Sequence, residues 1–243
     1  MSWANYKDKV KRYFPFSSTE WGSFAILVIV FAFIWSFTQW GTAKFDIAEG
    51  LKNFLKAIIM LGIVVFVHHA AQRLYGIFFG YRIEHRVWWA GLVGCVLAVL
   101  LSNGKVMIFA ASAMRAHFLA VHRIGEHRYG PSIFQIGLVA FSGPIAAVIV
   151  SVLLRLLAPT IFSSVFEFSL LFALYCLIPI PPLDGVHVFA ASRIYGFVFV
   201  FTIFALLAFL LLYFIAQLGF LWSILLALII GFLCWLAFDY LVG

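Results

Sequence analysis

Acidic side chains are scarce in this chain. Asp and Glu number nine in 243 residues, and charged residues of both signs make up 10%. A soluble domain carries about 25%, so a soluble globular fold is excluded. Excluded with it is nucleic-acid binding through a basic surface. The formal net charge of +7 comes from Lys and Arg in short loops between apolar runs, where they orient spans and meet anionic headgroups. Cysteine is rarer still. Cys95, Cys176 and Cys234 are the only three, and their spacing supports neither a disulfide framework nor a zinc knuckle. They read as small core residues. Proline numbers seven, yet Pro179, Pro181 and Pro182 fall within four positions.

What remains is hydrophobic: 65% of residues, 29 of them Phe, with a mean hydropathy of +1.12. A membrane-spanning helix takes about 20 mainly apolar residues. Runs of that kind lie at 23–41, 54–79, 133–157, 163–191, 196–217 and 219–241. They predict an all-α polytopic membrane protein with six transmembrane helices. The polar start, residues 1–18, is long and no small-residue cleavage site follows the first apolar run, so that run is expected to stay as an anchor. The stretch 87–115 is apolar but interrupted by Ser102-Asn103-Gly104-Lys105. It predicts a re-entrant hairpin whose second arm, Val106 to Ala111, is a candidate strand.

Sidedness favours the hairpin. Lys7, Lys9, Lys11 and Arg12 place the N-terminus inside, and Arg73, Arg82 and Arg86 follow two crossings later. The next basic cluster holds Arg115, Arg123 and Arg128, with His117, His122 and His127 among them. A re-entrant 87–115 keeps this cluster inside, as it does Arg193 and the C-terminus. The expected division is an N-terminal segment and anchor (1–53), a membrane core (54–192) and a C-terminal pair of helices (193–243). A multi-pass protein of the cell membrane, with a cytoplasmic N-terminus, follows from this reading.

Two polar intrusions break the apolar pattern. The first is His68-His69-Ala70-Ala71-Gln72-Arg73 inside the second span. Residues four apart share a helix face, so His68 and Gln72 point one way while His69 and Arg73 point about 100° round. The second is Leu177-Ile178-Pro179-Ile180-Pro181-Pro182-Leu183-Asp184-Gly185. Each proline removes a backbone donor and crowds the preceding turn. A carboxylate at membrane depth costs several kcal/mol or more and marks a functional site by default. Both spans run inward, which sets His68 and Asp184 at similar depth. One shared site is therefore expected, on a Pro-broken helix.

These two segments resemble the site-2 protease family of intramembrane zinc metalloproteases, particularly its short archaeal-type members. In that family one span carries His-Glu-x-x-His and a later one Asn-x-x-Pro-x-Pro-x-Leu-Asp-Gly. Leu177 to Gly185 matches the second motif closely. Ser142-Gly143-Pro144-Ile145-Ala146-Ala147 is similar to the family's Gly-Pro helix start, and Gly80-Tyr81-Arg82-Ile83-Glu84 to the stretch after its first motif. The resemblance covers residues 54–192. It implies a zinc site in which His68 and Asp184 are ligands, and a groove for an extended peptide near Cys176, Pro179, Pro181 and Gly185, with pairing to the strand expected at 106–111.

The first motif departs from the family. His69 stands where the general-base Glu belongs, Gln72 where the second His ligand belongs, and Cys176 where an Asn precedes the prolines. Catalytic zinc takes three protein ligands and a water, and the amide oxygen of Gln72 is a weak donor. His187 is a possible substitute ligand, three residues after Asp184 on one helix face. The expectation is a non-catalytic relative with no cofactor, embedded in lipid and holding a transmembrane partner. The competing expectation is an active zinc protease using His68, Asp184 and Gln72 or His187, with His69 as base.

Overall fold

The computed structural model describes residues 3–41, 45–119, 132–192, 197–215 and 217–242. Among the described residues run nine α-helices and two strands: α1 (Trp3–Tyr13), α2 (Ser18–Ser36), α3 (Ile47–Phe79), β1 (Tyr81–Val87), α4 (Trp89–Leu101), β2 (Ser112–Phe118), α5 (Ile133–Leu157), α6 (Ser163–Cys176), α7 (Asp184–Ser192), α8 (Phe197–Leu210) and α9 (Phe220–Val242). A π-helical turn, Leu211–Ile215, extends α8. α2, α3, α5 and α9 are long and apolar enough to cross a membrane by length and composition, and α4, α6 and Val200–Phe214 are shorter apolar helices. The chain is a predominantly helical, multi-pass membrane protein.

Local signals set the helix ends. Ser17 caps α2: its Oγ accepts from Glu20 N at 3.3 Å, and Glu20 Oε2 accepts from Ser17 N at 2.8 Å. This reciprocal box satisfies donors that a helix start leaves free. Asp46 caps α3 by accepting from Ala48 N and Glu49 N, which starts that helix seven residues ahead of the expected position 54. α3 stops at Gly80, whose φ of 89° is a left-handed conformation that suits glycine.

The helical class holds, with one addition: β1 and β2 form an antiparallel pair in register from Tyr81↔Phe118 to Val87↔Ser112. Tyr81, Ile83 and His85 are buried while their neighbours are not, a period-2 alternation that the sequence carries but that six apolar runs overshadow. The strand after the hairpin tip is displaced, from the expected 106–111 to Ser112–Phe118. Residues 106–111 lie against α4 and α6 instead: Ala110 N donates to Cys95 Sγ of α4, and Phe109 packs on Phe168 of α6 with ring centroids 4.9 Å apart.

The chain between the two strands doubles back on itself. Val87 pairs with Ser112, and Trp88 N donates to Ala111 O at 2.8 Å. The chain thus leaves the sheet at residue 88 and returns beside its starting point. The helix expected over 163–191 is cut into α6 and α7 by Leu177–Leu183, a segment with a cis peptide between Pro181 and Pro182. The break is tight, since a Cβ on Gly185 would collide with the carbonyl oxygens of Leu177 and Ile178. α3 packs on α2, α5, α6 and β1, and α8 packs chiefly on α9.

Candidate functional site

α3 and α7 meet where the sequence intrusions predict. His68 Nε2 donates to Asp184 Oδ2 at 3.0 Å, and Gln72 Nε2 donates to the same oxygen at 2.8 Å. His68, Gln72 and Asp184 are all buried, at 0%, 0% and 2% exposure. Asp184 opens α7, so the break delivers its carboxylate directly to the polar face of α3.

Gln72 is fully committed. Its Nε2 also donates to Ala140 O at 2.9 Å, and its Oε1 accepts from His85 Nε2 at 2.8 Å. A carbonyl can only accept, so Ala140 O fixes which end of the amide faces Asp184. That end is the nitrogen. Ala140 O is available because Pro144, four residues on within α5, has no N–H to give it. The proline inside α5 thus supplies the acceptor that orients Gln72. Gly143 lets the helices approach: a Cβ there would lie 2.8 Å from Gln72 Cγ and 2.8 Å from His68 Cε1.

His69 is turned elsewhere. Its Nε2 shares a hydrogen bond with Ser112 Oγ at 3.1 Å, and its ring stacks on His85 with centroids 3.9 Å apart. Arg73, also fully buried, binds Glu20 through Nη2 at 2.9 and 3.0 Å, and its guanidinium lies 4.4 Å from the Phe16 ring centroid. His85 N adds a 3.4 Å contact to Glu20 Oε1. Burial, with repulsion from His68 and Arg73, holds His85 well below the ordinary imidazole range.

The expected ligand set is rearranged. Gln72 presents a nitrogen, not the oxygen that a metal ligand needs, and its oxygen is occupied by His85. His187 is half-buried and does not join the cluster, although it lies three residues beyond Asp184. The donor atoms that do converge are those of His68, Cys176 and Asp184, all within 4.8 Å of one another and all buried. Cys176 closes α6, so it faces Asp184 across the break. The expected groove residues split: Pro179 and Pro181 are exposed, whereas Cys176 and Gly185 are buried. Of the basic cluster, Arg115 and His117 are exposed on β2, and His122, Arg123, His127 and Arg128 lie outside the described residues, as does Arg193.

Sequence reasoning missed three contributors and gave a fourth another role. Glu20 was legible as the fourth residue of a Ser-x-x-Glu capping box, and His85 as the third inward position of an alternating strand. Cys176 was expected in the groove and not beside the metal ligands. Ser112 carried no signal of its own. No family model, no curated protein and no solved structure matches the chain.

Proposed function

We propose that the chain is a site-2-protease-like membrane protein that does not cleave peptides and instead holds a partner's transmembrane segment or serves as a membrane-complex subunit. One observation carries this reading: neither the general-base position nor the second-ligand position is arranged for hydrolysis. His69, at the general-base position, is bonded to Ser112 and stacked on His85, and Gln72 turns its nitrogen to Asp184 and Ala140 O while its oxygen is taken by His85. A base works only within hydrogen-bond reach of the proton it removes, and misplacement by an ångström costs about a hundred-fold. The zinc protease reading draws on His68 and Asp184 in its favour but lacks a carboxylate base beside them.

The basic, exposed α1 supports a cytoplasmic N-terminus in the cell membrane. Lipid surrounds the apolar helices, and the partner is another membrane protein. The test is cleavage by the purified full chain, reconstituted in liposomes with a single-span reporter. No product is expected, and co-purification from native membranes should retain a membrane protein at constant stoichiometry. Cleavage that disappears in Asp184→Ala would overturn the proposal.

A further inference from the structure

We infer that His68, Cys176 and Asp184 form a binding site for a zinc-type divalent cation, with the Cys176 thiolate as the third ligand. The three donors come from α3, the end of α6 and the start of α7, and lie within 4.8 Å of one another. Tetrahedral zinc, with bonds of about 2.0–2.3 Å, sets its ligand atoms about 3.3–3.8 Å apart. Separations of up to 4.8 Å therefore close by about 1–1.5 Å at most around an ion, while the His68–Asp184 pair, 3.0 Å apart, opens slightly to admit it. Imidazole, thiolate and carboxylate together are a borderline-soft set that suits zinc rather than magnesium or calcium.

Charge favours the same occupant. A thiolate and a carboxylate carry two negative charges, which a divalent cation cancels, so the occupied site adds no net charge to the membrane interior. Binding is balanced by release of one proton, from the Cys176 thiol, while His68 coordinates as neutral imidazole. Gln72 keeps a place in this arrangement. Its Nε2 already donates to Asp184 Oδ2 and to Ala140 O, the outer-shell contact that orients a ligating carboxylate. The residue at the second-ligand position thus becomes a positioning residue, and the ligand role passes to Cys176.

An ion held here ties both sides of the Leu177–Leu183 break to α3. With no carboxylate base beside it among the described residues, the site is a staple and not a hydrolytic centre. Metal uptake and peptide cleavage are separate measurements, so failure of this inference leaves the non-proteolytic reading intact, and the reverse.

Purified full chain, stripped by chelator and titrated with Co²⁺ in detergent, should take up one ion per chain. A thiolate-to-cobalt charge-transfer band should appear in the near ultraviolet. Cys176→Ser should abolish the band and weaken uptake by at least about ten-fold, the scale on which even outer-shell partners act. Cys95→Ser and Cys234→Ser should leave both unchanged. X-ray absorption of the zinc-loaded unmodified chain should show one sulfur at about 2.3 Å, and this decides the matter if Cys176→Ser does not fold. No stoichiometric uptake, a band that survives Cys176→Ser, or a zinc shell without sulfur would overturn the inference.

Discussion

Two buried polar centres sit within two turns of α3, and they are built in opposite ways. At Arg73 a full positive charge meets Glu20, a carboxylate already fixed by its own capping box. At His68 and Gln72 the partner carboxylate comes from a broken helix 112–116 residues away, and an imidazole and an amide donate to one of its oxygens. The first centre joins α3 to α2 and β1. The second joins α3 to α5 and α7. A buried charge pair is stabilised only while both members are present, whereas a carboxylate held by several hydrogen bonds spreads the loss of one partner over the others. The chain thus places its rigid ionic bolt beside a centre that can accept another occupant.

Removing one member of the pair tests that contrast hardest. Glu20→Ala strands the fully buried Arg73 and should cost about 3–5 kcal/mol, read as loss of thermal stability in detergent. Glu20→Ala with Arg73→Met should recover most of it. A single-variant loss below about 1 kcal/mol would show that the pair is not the bolt described. Next comes Gly185→Ala, where the new methyl meets backbone carbonyls of the break. Backbone yields less than side chains, so a cost of about 3 kcal/mol, the upper part of the overpacking range, is expected.

Asp184→Ala should cost less than Glu20→Ala, about 1–3 kcal/mol, the scale of leaving buried hydrogen-bond donors without their acceptor. Equal losses in the two variants would erase the distinction between the centres. Ser112→Ala removes the partner of His69 Nε2 and should cost about 1 kcal/mol. The smallest effect near neutrality is acid sensitivity. His85 in the folded chain resists protonation, so below its ordinary value of 6.5 the unfolded chain takes up a proton that the folded chain does not. Stability should be full above that pH and decline below it, and His85→Gln should flatten the decline in a pH series of melting curves.

Much of this was legible in the residues. Hydropathy alone placed the long helices, because lipid forces every backbone group to be satisfied within its own segment. The three prolines placed the break, and Asp184 placed the centre. What the sequence left unread depends on rotation and approach. Whether Gln72 offers oxygen or nitrogen depends on Ala140 O, and that depends on a proline in a different helix. Whether His69 reaches the centre depends on Ser112, which follows the hairpin and gains its position only through the β1–β2 register. Hydropathy is also blind to β1, whose seven residues alternate over too short a length to rival a 33-residue helix.

The short polar helix α1 has a consequence for access. Tyr6 Oη donates to Leu74 O at 3.1 Å and its ring packs on Phe78, so α1 lies across the end of α3. Carrying Lys7, Lys9, Lys11 and Arg12 and burying none of its residues, it works as a gauge resting at the headgroup layer. His68 is six residues from Leu74, about 9 Å along the helix axis. The polar centre thus lies nearer the end of α3 that α1 covers than the middle of that helix. A cation arriving from that side crosses a distance close to one Debye length at physiological salt, about 8 Å, within which the field of the surface charges is still felt.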